Sequence, residues 1–144
     1  MLTIRIMTID DYDAVIDLMK QTPGISVRDA DSRESTSRYL ERNPSMSLVA
    51  ESGAMVVGCI MGGHDGRKGY LQHLIVLSEY RRQGIANALV EHCLLALEAQ
   101  GIRKFHVDVL KTNPTAAGYW QAQGWQLRSD IDRYSFVRSG DENA

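Results

Sequence analysis

Residues 70–101 read YLQHLIVLSEYRRQGIANALVEHCLLALEAQG, and the rest of the chain is arranged around them. The first part, 70–77, is rich in aliphatic residues and predicts a buried strand. Ile85, Leu89, Cys93 and Ala96/Leu97 then recur at helical spacing, and Gly101 is placed to end the helix. Between strand and helix lies Arg81-Arg82-Gln83-Gly84-Ile85-Ala86. The first N–H groups of a helix lack internal partners, and the helix dipole favours negative charge there. Gly84 lets a ligand approach the backbone, Ala86 keeps the wall low, and Arg81 and Arg82 add positive potential. The ligand class this suggests is a pyrophosphate.

Two familiar phosphate motifs are missing. No Gly-Lys-Ser/Thr end completes a P-loop, and no G-x-G-x-x-G is present. The segment Arg81-x-x-Gly84-x-Ala86 instead resembles motif A, R/Q-x-x-G-x-G/A, of the GNAT N-acetyltransferase superfamily. Leu74-Ile75-Val76 and Glu79-Tyr80 resemble the strand and turn that lead into that motif. Further on, Asn113-x-x-Ala116-x-x-x-Trp120-x-x-x-Gly124-Trp125 resembles the second signature, N-x-x-A-x-x-x-Y-x-x-x-G-F.

The whole chain bounds the answer. A length of 144 residues, with 44% hydrophobic and 24% charged residues, fits one soluble globular domain. A net charge of −2 argues against a general nucleic-acid binder. No apolar run approaches a membrane span, and no signal-peptide layout opens the chain, so a cytoplasmic protein is expected. Cys59 and Cys93 sit inside apolar patterns and read as buried free thiols. No cysteine–histidine cluster has metal spacing.

Taken in order, Leu2, Ile4 and Ile6 alternate as a first strand. Thr8, followed by Asp10 and Asp11, opens a helix reaching about Lys20. Thr22-Pro23-Gly24 breaks it. Residues 32–42 predict a second helix, and Asn43-Pro44 stops it. Residues 47–51 and 55–63 predict a hairpin turning at Ser52-Gly53. Residues 104–110 predict a strand. Asn113-Pro114 opens a last helix that ends at Gly124, and 125–127 and 133–137 predict final strands. The order is β-α-α-β-β-β-α-β-α-β-β, an α/β chain with a mixed sheet and helices on both faces. It is similar to the GNAT order over one domain, 1–138, with a polar tail at 139–144. The resemblance implies that the strands at 70–77 and 104–110 run parallel but splay, with a β-bulge near Leu74–Val76. The amide-rich arm of coenzyme A could fill that gap as a pseudo-strand.

What the resemblance implies chemically is acetyl transfer from acetyl-CoA to a primary amine, of a small molecule or of a protein, with no metal. The coenzyme would rest on Leu74, Ile75, Val76, Arg81, Arg82, Gln83, Gly84, Ile85 and Ala86, with Asn113 and Trp120 contributing. Asn113 also reads as an ordinary helix cap. A base must remove the ammonium proton, and Asp108, at the place of a catalytic glutamate in ribosomal-protein acetyltransferases, is the first candidate. Asp108 also reads as a plain exposed carboxylate. His73 is the alternative base, or a packing histidine. One departure stands out: Trp120 replaces the tyrosine that often protonates the leaving thiolate. Indole cannot give up its proton near neutral pH. Tyr119 is the neighbouring replacement, turned about 100° around the helix.

Specificity is expected from residues 21–40 and 129–134, where Arg28, Asp29, Asp31 and Arg33 could read a charged acceptor. The acceptor itself is not identified, and the oligomeric state is left open, a homodimer included. A non-catalytic acyl-CoA-binding module is the alternative function, supported by the missing tyrosine. An acetyltransferase acting on charged tRNA would want a basic face, which the acidic balance opposes.

Overall fold

The computed structural model describes residues 1–144, which divide into two compact units, Met1–Asp108 and Val109–Ala144. The first unit holds one five-stranded sheet in the order β1-β2-β3-β4-β5. Its strands are β1 Leu2–Ile6, β2 Leu48–Ser52, β3 Met55–His64, β4 Gly69–Val76 and β5 Phe105–Val107. The first four form an antiparallel meander, and β5 joins β4 in parallel. Three helices belong to this unit: α1 Tyr12–Gln21, α2 Arg33–Arg42 and α3 Ile85–Glu98.

The alternation of side chains along β3 sets the layers. Cys59 and Met61 join Met7, Val15, Ile16, Leu18 and Met19 in a core on the α1 face. Gly58 and Gly62 point the other way. A Cβ on Gly62 would run into the Cys93 Sγ of α3, and one on Gly58 would lie 3.4 Å from Leu89. Absent side chains thus let α3 approach the sheet closely. The sequence expectation of helices on both faces is met.

The helix starts are built as their sequences require. Asp11 Oδ2 accepts the Thr8 N–H at 2.9 Å, and a short 3-10 turn, Ile9–Asp11, leads into α1. Ser32 caps α2 by accepting the Ser35 N–H at 3.1 Å.

Two expectations are corrected. The strand expected over 104–110 is only Phe105–Val107, so Asp108 lies beyond it. The cause is in β4. Gly69, Tyr70 and Leu71 pair with Phe105, His106 and Val107, after which β4 bulges away and leaves β5 without a ladder partner. The final strands at 125–127 and 133–137 do not form. Alternation alone makes no strand: a neighbour must take the backbone N–H and C=O groups. Within Val109–Ala144 the buried residue is Trp120, while Leu127, Tyr134 and Phe136 are 82%, 92% and 83% exposed.

That second unit contains α4, Pro114–Ala122. Asn113 Oδ1 accepts the Ala116 N–H at 3.1 Å, and Pro114 occupies the first turn. Gly124, at φ +90°, turns the chain so that the Trp125 N–H reaches the Trp120 carbonyl at 3.0 Å.

Candidate active site

Three features of the first unit converge on β4 and its exit. The first is the bulge. Cys59 pairs with Ile75 and Met61 with Gln72, so His73 and Leu74 stand opposite the single residue Ile60. The bulge therefore begins one residue before the expected Leu74–Val76. His73 takes φ +53°, a left-handed conformation that costs a residue with a Cβ about 1–2 kcal/mol. Its carbonyl accepts the Cys59 thiol at 3.3 Å. From Gln72 onward β4 has no β5 partner, so the expected splay is present as a strand edge open on the β5 side.

The second feature is the turn into α3. A 3-10 turn at Ser78–Tyr80 follows β4, and Arg81 Nε donates back to the Val76 carbonyl at 3.1 Å. Arg81 thus braces the strand end rather than reaching outward. Arg82 and Gly84 are left-handed, at φ +65° and +79°, and Gly84 precedes the first turn of α3. Alternation of this kind curls successive N–H groups into an anion-binding concavity. A Cβ on Gly84 would meet no atom within 4 Å, so the space over the turn is open.

The third feature is a cavity of about 350 Å³ beside the bulge, lined by α2, Asp31, Met61, Gln72 and His73. His73 Nε2 lies 3.2 Å from Asp31 Oδ1. Asp31 is itself pinned: its Oδ2 accepts the Arg28 N–H at 2.8 Å, and its carbonyl accepts the Tyr12 hydroxyl at 2.7 Å. In a neutral imidazole, donating Nε2–H to Asp31 leaves the lone pair on Nδ1. Nδ1 makes no hydrogen bond within the protein. Burial raises Tyr39, which also lines the cavity, above the ordinary phenol range, against a hydrogen bond from Gln72 that lowers it.

Of the residues singled out in the sequence, Leu74, Ile75, Val76, Arg81, Arg82, Gln83, Gly84, Ile85, Ala86 and His73 lie together along β4 and its exit. Asp108 is exposed coil one residue past β5. In the second unit, Trp120 is buried between Tyr119, with ring centroids 5.2 Å apart, and Trp125 at 4.7 Å. Tyr119 is half-buried, and burial raises its phenol above the usual range. The pairing of Asp31 with His73 gave no sequence signal, because the partners are 42 residues apart and a left-handed histidine is not legible as a glycine would be. Arg42, one end of the cavity's helix wall, also fell outside the expected 21–40.

The model of the acetyltransferase (GNAT) family matches residues 12–125. The chain belongs to that family and is an N-acetyltransferase. It is 36% identical over 118 residues to an acetyltransferase of Pectobacterium atrosepticum, covering 82% of this chain and 83% of that one. Its fold is similar to the PaiA N-acetyltransferase of Thermoplasma acidophilum in complex with coenzyme A. The TM-score is 0.78 at 19% identity, over 92% of this chain and 93% of the other. It is also similar to the aminoglycoside acetyltransferase AAC(6')-Iy in complex with a bisubstrate analogue. There the TM-score is 0.72 at 19% identity, over 95% and 99% of the two chains. No group of three or more His, Cys, Asp or Glu side chains is placed to hold a metal, and no helix is long and apolar enough to cross a membrane.

Proposed function

We propose that this N-acetyltransferase moves the acetyl group of acetyl-CoA to a primary amine held in the cavity beside His73. The observation that carries this reading is the bulge. It holds His73 in a strained backbone conformation, places its imidazole in the cavity wall and leaves the following strand without a partner on its β5 side. Strain of this kind persists where a site requires it. Coenzyme A places its pyrophosphate on the N–H groups between Arg82 and Ala86. Its pantetheine amides pair with the open edge of Leu74–Val76.

The acceptor arrives as an ammonium and must lose a proton before it can attack. His73 Nδ1 takes that proton, directly or through one water. Asp31 fixes the tautomer and steadies the imidazolium that forms. The amine nitrogen then bonds to the thioester carbon, and a backbone N–H of the bulge stabilises the oxyanion. The C–S bond breaks as the carbonyl re-forms, the nitrogen gives the extra proton it still carries to water, the thiolate collects a proton, and the amide and coenzyme A depart. The resemblance to the family's second signature supports Tyr119, whose phenol burial raises, as the proposed proton donor, with Trp120 and Asn113 as proposed coenzyme contacts. Asp108 is the rival base.

Release of free thiol from acetyl-CoA with a panel of amines tests this reading, alongside His73→Ala, Asp108→Asn and Tyr119→Phe. Turnover that needs His73 and Tyr119 supports it. Coenzyme binding without turnover on a broad panel contradicts it.

A further inference from the structure

The cavity beside His73 has an uneven charge. Helix α2 lines it with Ser35, Thr36, Arg38, Tyr39 and Arg42, the face given by positions three, four and seven apart. Arg38 and Arg42 stand one turn apart on that face, where like charges repel. Neither makes an ion pair with a carboxylate. The ion pairs of the structure use Arg5, Arg33, Arg128 and His73, none of them Arg38 or Arg42. Arg38 has only a 3.3 Å bond to the Ser35 hydroxyl, and Arg42 has no hydrogen bond within the protein. Both are exposed, whereas Thr36 and Met61 of the same cavity are buried, which puts the guanidinium groups at its rim. The same cavity holds Asp31 and His73.

We infer that the acceptor is an amine that also carries an anionic group, a carboxylate or a phosphate, held by Arg38 and Arg42 while Asp31 and His73 receive the amine. The inference rests on the reading of this cavity as the acceptor site. A guanidinium presents a planar fork of donors that matches both anions, and such bonds are stronger than neutral ones. A polyamine or a lysine-rich peptide would instead bring further positive charge to two arginines that make no ion pair. A cavity of about 350 Å³ suits a small molecule.

The test is calorimetric binding to the full chain saturated with coenzyme A. Matched probes are amino acids against their amides, and glucosamine 6-phosphate against glucosamine, with spermidine as the cationic control. The carboxylate or phosphate member of a pair should bind at least about tenfold tighter, one strong charge-assisted contact. Whichever pair shows the preference names the anion. In the double variant Arg38→Ala, Arg42→Ala the preference should vanish, with coenzyme affinity unchanged. Both positions are exposed, and melting temperature checks the fold. Equal binding within every pair, tighter binding of spermidine, no binding of any anionic amine, or a double variant that keeps the preference would overturn the inference. So would loss of coenzyme affinity in the double variant, which would assign the arginines to the coenzyme. Binding of an anionic amine with no thiol released contradicts the catalytic reading and leaves the recognition inference standing. Thiol release with neutral amines alone does the reverse.

Discussion

His73 and Asp31 meet at 3.2 Å although the backbone at His73, with φ +53°, is one that an imidazole-bearing residue rarely adopts. Geometry of this kind makes stability and activity separable. Glycine accepts a left-handed conformation without penalty, so His73→Gly relieves about 1–2 kcal/mol of strain while losing the imidazole's contacts. Its unfolding free energy in urea should stay within about 1 kcal/mol of the parent, while turnover falls about 10²–10⁴-fold. A variant as active as the parent would return His73 to a packing role.

Gly84 is left-handed at φ +79° with open space above it. Gly84→Val should place a branched side chain over the proposed pyrophosphate site and cost about 1–2 kcal/mol of backbone strain, leaving the protein folded. Equilibrium dialysis should show coenzyme A binding lost. Unchanged binding would move the site elsewhere.

Burial pushes the thiols of Cys59 and Cys93 up to about 12. The thiolate is the reactive form, so both should resist thiol reagents at about pH 8 in the native protein and react together on unfolding. Rapid labelling of one cysteine in native conditions would show that its side of the sheet opens.

Arg5 forks onto Asp11 at 2.7 and 2.9 Å and reaches Glu51 at 2.7 Å. Burial alone would raise the Asp11 carboxyl, but the Arg5 hydrogen bonds and the Thr8 N–H outweigh it and leave it below its usual 3.8. A folded value below the unfolded one adds stability above about 3.8, lost as pH falls through the lowered folded value. Arg5 is 37% exposed, so solvent screens the pair, and Asp11→Asn should cost only about 1–2 kcal/mol at pH 7. The difference between parent and variant should shrink below pH 3.8, and a difference constant with pH would contradict the linkage.

The elements legible in the sequence were those fixed by local pattern. Asn113-Pro114 and Gly124 bound α4 as their capping chemistry requires. Gly84 marks the entry to α3 because a φ of +79° is cheapest for glycine. The two final strands do not form: a pattern such as Tyr134–Phe136 says which face would be buried, not whether a partner strand exists. The cavity was only half visible. Residues 21–40 were expected to meet the acceptor, but the Asp31–His73 pair depends on a bulge that no glycine announces.

The most direct test of the central claim is single-turnover acetyl transfer by protein preloaded with acetyl-CoA, using the best acceptor from the amine panel. Parent, His73→Ala and Asp108→Asn are compared, with coenzyme affinity measured for each. His73→Ala should slow the chemical step about 10²–10⁴-fold at unchanged coenzyme affinity, while Asp108→Asn should stay within about threefold of the parent. Equal rates for parent and His73→Ala, or a loss confined to Asp108→Asn, would contradict it.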